Sequence, residues 1–351
     1  MIRIDGGQKS GSGTVVRYAT SLCALLGEEL ILNNIRAKRD KPGLRPQHLK
    51  AITALAEVCG GAVDGAEVGS RQIRFKPGKG VAARYYQWDI GTAGSTTMLA
   101  MTVLPLVCFA QDTVSLRICG GLFQDFAPSA YHMQRVLLPI LGKMGIEAQL
   151  DIIRPGYVPR GGGIIEVTVR PMMANRARPL KLTAQGKVVK VEGVSLCSHL
   201  KERKVSERMV RAFTDALKAK WHREYTVHIE TIYDDTALQA GAALAVYATT
   251  SSGCIIGTDR AGKPRRSAEE IGKYVAKALL QDLESGASVD RYLADQIILY
   301  AALGDGITEY KIPEITEHIE TNLWLVEEIV GAKTEVRGNI LKIHGAGFHR
   351  D

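Results

Sequence analysis

An internal repeat constrains the fold of this chain more than any other feature. Each copy of the repeat is delimited by a histidine and a glycine, and apolar residues recur between these two at helical spacing, as Ile52, Leu55 and Val58 do in the first copy. The repeat is a His followed thirteen residues later by a Gly, and its copies are His48/Gly61, His132/Gly145 and His318/Gly331. Each copy predicts a helix that ends in a left-handed residue at the glycine.

A second element precedes each of these predicted helices. It consists of a loop of small residues, an apolar helix and a β-rich run. The three occurrences are residues 11–32, 92–116 and 292–312. Helix, strand, helix and strand therefore form a unit of about 80 residues that is used three times. The predicted fold class is α+β.

The third unit does not follow directly on the second. Residues 184–286 lack the His–Gly pair and carry two predicted helices, at 205–220 and 267–284, among β-rich runs. We interpret this stretch as a smaller inserted α/β domain. The large domain is then discontinuous and comprises residues 1–183 and 287–351.

Composition limits the functional classes. The net charge of +8 and the pI of about 9.1 favour a polyanionic partner such as nucleic acid or a nucleotide. The six cysteines form no CxxC pair, which predicts buried, reduced thiols. The most apolar run, residues 98–110, contains Pro105 and is too short to span a bilayer. The N-terminus does not resemble a signal peptide, so we expect a cytoplasmic protein with no membrane partner.

Two segments have the composition of phosphate-binding loops. Residues 6–14, GGQKSGSGT, are glycine-rich and precede a predicted helix, although they lack the Lys-Ser/Thr of a P-loop. Residues 35–48 carry five basic side chains around Pro42 and Gly43, which predicts a turn and not a helix. A turn of this kind lets cationic side chains converge on a phosphate.

These segments, with four further motifs, resemble the RNA 3′-terminal phosphate cyclase family. The matching motifs, in family order, are IDGGQ (4–8), IRAKRDKPGLRPQHL (35–49), GTAGSTT (91–97), GYVPRGGG (156–163), SGASVDRYLADQ (285–296) and HIETN (318–322). The resemblance implies three repeated βαβαββ units and an inserted, smaller, thioredoxin-like α/β domain. It also implies the enzymatic branch of the family.

The resemblance implies a reaction that uses ATP and a divalent cation, Mg²⁺ or Mn²⁺. In the family, the His of the HxxTN motif attacks the α-phosphorus of ATP, and here that residue is His318. AMP then passes to an RNA 3′-phosphate, and the 2′-OH attacks to give a 2′,3′-cyclic phosphate. A neutral imidazole is a suitable nucleophile at neutral pH.

The resemblance also assigns binding residues. The phosphate-binding and nucleotide-binding positions map onto Arg17, Arg36, Arg39, Gln47, Pro128, Tyr292, Asp295 and Gln296. Asp295 is expected to orient His318 or its leaving groups, and the loop at Gly11, Ser12 and Gly13 to offer backbone N–H groups. We interpret His48 as structural or supporting.

Several residues depart from the family pattern. Ser10 stands where the family has a metal-binding Glu, so the metal ligands are unknown from the sequence, and a hydroxyl is a poorer Mg²⁺ ligand than a carboxylate. Met101 replaces a glutamine near the nucleotide. His132 stands where the family has an aromatic residue that packs on the base. Pro155 stands where the family usually has a His or an Arg.

Two alternative functions remain open at this point. One is a non-catalytic, cyclase-like RNA-binding protein of ribosome assembly. The presence of His318 together with Arg36, Arg39 and Asp295 argues against it, whereas Ser10 argues weakly for it. The other is a nucleotidyltransferase that adenylylates other polynucleotide ends, DNA included. The expected partner is an RNA 3′-phosphate end. The sequence does not determine the oligomeric state, and a homodimer is one of the alternatives.

Overall fold

The structure, a computed structural model, describes residues 1–81, 83–173, 175–222 and 224–349. It contains four four-stranded sheets with helices packed against them, which confirms the α+β class. Strands form where apolar and polar residues alternate. In the strand Val114–Gly120, for example, every second side chain is buried.

The first sheet is built from the start of the chain. Its elements are β1 (Ile2–Asp5), α1 (Gly13–Leu26), β2 (Leu30–Asn33), α2 (Pro46–Cys59), β3 (Ala62–Asp64) and β4 (Ile73–Lys76). The strand order is β1-β2-β4-β3. β1 and β2 are parallel, and the other two pairs are antiparallel.

The second sheet has the same order and the same strand directions. Its elements are β5 (Tyr85–Asp89), α3 (Thr96–Val107), β6 (Val114–Gly120), α4 (Ala130–His132), a π-helical turn (Met133–Leu137), α5 (Leu138–Lys143), β7 (Ala148–Arg154) and β8 (Gly163–Val169). β5 and β6 are parallel, and β8 pairs antiparallel with both β6 and β7.

A third sheet is split in sequence by the inserted segment. Its first strand is β9 (Lys181–Leu182). The inserted segment follows with β10 (Val188–Ser198), a 3₁₀ turn (Lys201–Arg203), α6 (Val205–Lys218), β11 (Thr226–Tyr233), β12 (Gly241–Thr250), β13 (Ile255–Ala261) and α7 (Ala268–Glu284). These four strands form a separate sheet of order β11-β10-β12-β13.

The chain then returns to the third sheet. Its remaining elements are α8 (Leu293–Gln296), α9 (Ile298–Leu303), β14 (Ile307–Lys311), α10 (Glu317–Val330), β15 (Lys333–Arg337) and β16 (Ile340–His344). β9 pairs parallel with β14, and β16 pairs antiparallel with β14 and β15. The order β9-β14-β16-β15 therefore matches that of the first two sheets.

Two hydrophobic cores divide the apolar residues. The larger core extends over the helices and sheets of all three units, and one face of the inserted sheet contributes Val194 and Leu196 to it. The smaller core lies between the opposite face of the inserted sheet and helices α6 and α7, and it includes Phe213 and Leu279. The boundaries at residues 184 and 286 stay a prediction.

The predicted repeat glycines end their helices in two of three cases as expected. Gly331 is the left-handed C-cap of α10, with a φ of 75°, and Gly145 has a φ of 85° just beyond α5. In the first unit the prediction was wrong by one residue, because Gly60 is the left-handed cap of α2. Gly61 is needed for a different reason: a Cβ there would lie 2.4 Å from the carbonyl oxygen of Lys76.

Two predictions from composition have simple outcomes. None of the helices in the described part of the chain is long and apolar enough to cross a membrane. The six cysteines are all free thiols, and five of them are buried while Cys119 is partly exposed.

Candidate functional site

A cavity of about 530 Å³ lies where parts of the three repeat units meet. Residues of every predicted binding segment line it: Ser12, Gly13, Arg17, Arg36, Arg39, Gln47, Pro128, Tyr292, Asp295, Gln296 and His318. These positions span more than 300 residues of sequence, and the fold brings them to one place. A larger opening of about 730 Å³ on the inserted segment, between α6 and β11, contains none of them.

His318 is the second residue of α10. α10 begins at Glu317 because Thr316 caps the helix: the Thr316 hydroxyl accepts a hydrogen bond from the Ile319 N–H at 3.3 Å. The His318 ring is exposed to the cavity, and its Nδ1 shares a hydrogen bond of 3.1 Å with Thr14 Oγ1. That contact fixes one ring nitrogen and leaves Nε2 free to face a ligand.

The surroundings of His318 favour its neutral form. The protein atoms around the ring displace water, which lowers its pKa below 6.5, and the positive charges of Arg17 and Arg39 lower it further. Glu317 acts in the opposite direction and raises the pKa. The net result is an imidazole that is unprotonated at neutral pH, which is the state a nucleophile requires.

The glycine-rich loop leads directly into α1. Ser12 caps this helix by accepting from the Thr14 N–H at 3.2 Å. Gly13 packs against the ring of His48, because a Cβ at residue 13 would lie 2.1 Å from His48 Nε2. Gly11 does not line the cavity, and its φ of 51° and its contact with the Lys38 side chain give it a structural role.

Ser10, at the family's metal position, is buried and does not line the cavity. Its hydroxyl lies 2.9 Å from Ser12 Oγ and accepts from Thr321 Oγ1 at 2.9 Å, and its N–H donates to Thr321 Oγ1. These three hydroxyl residues tie the glycine-rich loop to α10.

The donor set does not fit a resident divalent cation. Within the described ranges, no group of three or more His, Cys, Asp or Glu side chains could hold a metal ion. Of the carboxylates that line the cavity, Asp125 is already paired with Arg266 at 2.6 and 2.7 Å. The requirement for Mg²⁺ or Mn²⁺ therefore stays a prediction.

The basic loop is held in place by two of its own cations. Arg36, with a φ of 54°, donates from Nη1 to the carbonyl oxygens of Lys41 and Gly43 at 2.7 and 2.9 Å. Lys38 Nζ donates to the carbonyl oxygen of Lys9 at 2.6 Å and so connects this loop to the glycine-rich one. Arg36 therefore shapes the loop in addition to lining the cavity.

Arg17 is a buried cation with unused donors. The residue is 4% exposed, and its Nε and Nη1 have no hydrogen-bond partner. Burial lowers its pKa, while Tyr18 and Asp295 raise it. A buried, incompletely partnered guanidinium that lines a cavity is well suited to an anion, because leaving it unpaired is costly.

Asp295 lies near Arg17 in the same cavity. Burial raises the pKa of its carboxyl to about 7, although Arg17 lowers it. The sequence predicted that Asp295 orients His318 or its leaving groups, whereas the side chain that shares a hydrogen bond with the His318 ring is Thr14. Asn322, of the same motif as His318, instead donates from Nδ2 to the Asp295 backbone oxygen at 2.9 Å.

The two glutamines differ in their surroundings. Gln47 Oε1 accepts from the Ser95 N–H at 3.4 Å, and its residue lines the cavity. Gln296 is buried, and its Oε1 has no partner, which leaves an acceptor for a bound group.

The apolar end of the cavity contains Pro128 and Tyr292, together with Met98 and Met101. His132 does not line it. His132 is buried behind Tyr292, with the two rings edge to face at 5.6 Å, and its Nε2 lies 3.2 Å from both carboxylate oxygens of Asp290. The imidazole at this position therefore supports Tyr292 and does not face a base in the cavity.

Sequence reasoning missed several residues of the site. Thr14, Asp125, Phe126 and Glu314 all line the cavity, and Thr14 bonds the His318 ring. Thr14 lies in the quoted glycine-rich segment, so its position there was a usable signal. Phe126 and Glu314 are in loops without a periodic pattern, and only the folded chain places them here.

Comparisons with known proteins identify the family of the chain. A family model described as RNA 3′-terminal phosphate cyclase matches residues 8–336. A curated protein of that name from Pyrococcus furiosus is 39% identical over 346 residues, which cover 97% of this chain and 96% of the relative. Relatives of the same name from Korarchaeum cryptofilum and Methanopyrus kandleri are 36% and 34% identical and are covered to 99% and 96% of their lengths. The chain therefore belongs to the RNA 3′-terminal phosphate cyclase family.

Proposed function

We propose that this protein converts RNA 3′-terminal phosphates to 2′,3′-cyclic phosphates with ATP, through a covalent His318–AMP intermediate. The observation that carries the proposal is the position of His318. A neutral, exposed imidazole, fixed at Nδ1, shares one cavity with a buried and incompletely partnered arginine, Arg17. A nucleophile and an anion-binding cation are the two groups that adenylyl transfer requires.

The first step is nucleophilic attack by His318. With the Nδ1 proton donated to Thr14 Oγ1, Nε2 carries the lone pair. This lone pair forms the bond to the α-phosphorus of ATP, while the bond from that phosphorus to the bridging oxygen breaks and pyrophosphate leaves. The apolar wall at Pro128 and Tyr292 is suited to the adenine, and Arg17 and Arg39 to the phosphates.

The second and third steps use the same cavity. A terminal 3′-phosphate oxygen of the RNA attacks the phosphorus of His318–AMP, the N–P bond breaks, and the neutral imidazole is regenerated. The 2′-OH of the same nucleotide then attacks the activated 3′-phosphorus, loses its proton and displaces AMP. Asp295, whose carboxyl has a pKa of about 7, can accept a proton in this cavity near neutral pH.

The chain's own residues support binding of the triphosphate more strongly than binding of a free metal ion. The N-terminus of α1 and the cations Arg17, Arg36 and Arg39 lie at the cavity. A divalent cation would therefore enter with the ATP phosphates. Ser10 would not serve as its ligand, because Ser12 and Thr321 already occupy its hydroxyl.

The test is incubation with ATP labelled at the α-phosphate. We expect protein-bound, acid-labile AMP. Addition of unlabelled RNA with a 3′-phosphate should remove this AMP from the protein while a 2′,3′-cyclic phosphate forms on the RNA. Absence of the adduct at all Mg²⁺ and Mn²⁺ concentrations would favour the non-catalytic RNA-binding alternative. Discharge by DNA 3′-phosphates but not by RNA would favour the wider nucleotidyltransferase.

A further inference from the structure

Phe126 has a solvent-exposed aromatic side chain at the mouth of the cavity. It is 95% exposed, and it lines the same cavity as His318. Single exposed apolar residues are common on protein surfaces and need no explanation by themselves. Phe126 is different because it lines the cavity and its loop is hydrogen-bonded on both sides.

The loop that carries Phe126 is fixed on both sides. Before it, the Asp125 carboxylate accepts two short hydrogen bonds from Arg266 and lies 3.4 Å from Arg260. After it, the Pro128 carbonyl oxygen accepts from Thr97 Oγ1 at 2.7 Å.

The anchor continues one residue further. The Ser129 N–H donates to the buried Asp259 carboxylate at 3.1 Å. Asp259, Arg260 and Arg266 all belong to the inserted segment, which therefore holds this loop over the cavity. Phe126 and Ala127 lie between these anchors, so the ring is presented on a backbone that is already ordered.

Phe126 has no role in the hydrophobic core. A side chain that is 95% exposed buries almost no apolar surface and contributes little to folding by burial. An exposed aromatic ring on a backbone anchored at both ends is, however, a good surface for stacking on a base, because the anchored backbone lowers the entropy lost on binding.

The adenine of ATP is not the base that this ring fits best. Pro128, Tyr292 and the buried Met101 form an apolar wall deeper in the cavity, and adenine can be enclosed there. Phe126 lines the cavity but is open to solvent, so it can meet a polynucleotide whose 3′-end lies at His318.

We propose that Phe126 stacks on the base of the 3′-terminal nucleotide of the RNA substrate. This inference rests on the proposed function and names a substrate contact within it. Every base presents a π-face, so a stacking surface recognises an end without selecting a sequence. The charge of Asp125 is neutralised by Arg260, Lys263 and Arg266, so it does not repel the RNA phosphates.

The experiment is a binding titration with a short, labelled single-stranded RNA that ends in a 3′-phosphate, without ATP. Phe126→Ala should raise the Kd by about 5- to 150-fold, the range for loss of one base–aromatic stack. Phe126→Trp should retain tight binding, and Phe126→Leu, which keeps apolar bulk without a π-face, should resemble Phe126→Ala. Met173→Ala is the matched control, since Met173 is 97% exposed and does not line the cavity.

A second RNA, with an abasic 3′-terminal nucleotide, identifies the base concerned. It should bind the unmodified protein more weakly than the intact RNA, while Phe126→Ala should bind both RNAs equally. Equal Kd values for Phe126→Ala and unmodified protein would overturn the inference. So would an increase in the Kd for ATP that matches the increase for RNA, which would place adenine on the ring. If the unmodified protein forms no AMP adduct, the proposed function itself fails, and this outcome is separate from both.

Discussion

His48 and His318 occupy equivalent places in two repeat units, yet their surroundings are opposite. His48 is buried in the first turn of α2, where burial lowers its pKa to about 3, and its Nδ1 accepts from the Arg45 N–H. His318 is exposed in the first turn of α10. Both rings meet the start of α1, His48 at Gly13 and His318 at Thr14. The two helices therefore flank one loop, and both histidines line the cavity, but His48 is 6% exposed whereas His318 is open to solvent.

The third repeat histidine shows a further arrangement. His132 is fully buried, and Asp290 raises its pKa against the effect of burial. The repeat thus conserves the position of a ring at a helix start, whereas each unit's neighbours determine its exposure and charge. The differences predict separable effects of mutation at the three positions.

The largest expected effect separates His318 from His48. Removal of a nucleophile lowers the rate by at least about 1,000-fold, so His318→Asn should abolish the labelled AMP adduct. His48→Asn loses a ring that packs on Gly13 but leaves the nucleophile, so it should still form the adduct, more slowly. The measurement is adduct formed per minute at saturating ATP. An undiminished adduct in His318→Asn would refute the assignment.

The next effect concerns stability and His132. His132→Ala leaves the buried carboxylate of Asp290 without its cation, which should lower the free energy of unfolding by about 3–5 kcal/mol. His318→Ala, at an exposed ring, should change it by less than about 0.5 kcal/mol. Urea denaturation followed by circular dichroism measures both.

The pH dependence of this stability difference provides a control. The raised pKa of His132 contributes stability that is complete below pH 6.5 and is lost as the pH rises through that pKa. The lowered pKa of Asp290 contributes stability above pH 3.8 that is lost at lower pH. The gap between the unmodified protein and His132→Ala should therefore be widest between these values. A gap that is independent of pH would mean that packing, and not the ion pair, dominates.

A smaller effect is expected at Arg39. It lies close enough to lower the pKa of His318, and it lines the cavity. Loss of one charge-assisted hydrogen bond to phosphate weakens adenylylation by about 1.5–3 kcal/mol, or roughly 10- to 150-fold at fixed ATP. Lys41→Ala, in the same loop but outside the cavity lining, is the matched comparison. Equal adenylylation rates for Arg39→Ala and Lys41→Ala would indicate that this loop is a solvated turn that does not bind phosphate.

The smallest effect is expected at Thr14, which positions His318. Thr14→Val removes the hydroxyl bonded to Nδ1 at nearly constant volume and should slow adduct formation by about 2- to 10-fold, the scale of one neutral hydrogen bond. Thr14→Ser should restore the rate, which a purely structural contribution of the methyl group would not allow. If Thr14→Ser forms the adduct as slowly as Thr14→Val does, the hydrogen bond from this residue does not position the His318 ring.

The sequence predicted the α+β class and the helices of the repeat because those depend on local periodicity, but its unit of helix, strand, helix and strand omitted the strand that opens each unit, such as β1, and one of the two that close it. It also predicted that His318, Arg17 and Asp295 share one site, because the family motifs carry them. It could not predict that Ser10 is enclosed by Ser12 and Thr321, or that His132 pairs with Asp290. The Ser10–Thr321 and His132–Asp290 contacts join residues from different units, and no local pattern encodes a distance across the fold.

The hydrogen bond between Thr14 and His318 joins residues that are 304 positions apart. During synthesis, the loop, the arginines and α1 leave the ribosome long before α10 does. The third sheet must also wait, because its partner strands β9 and β14 lie on either side of the inserted segment. A nascent chain that has folded its first two units therefore still lacks His318, the proposed nucleophile. This contact and the Ser10–Thr321 bonds, which join residues 311 positions apart, are slow to form, so the proposed reactive centre is completed last.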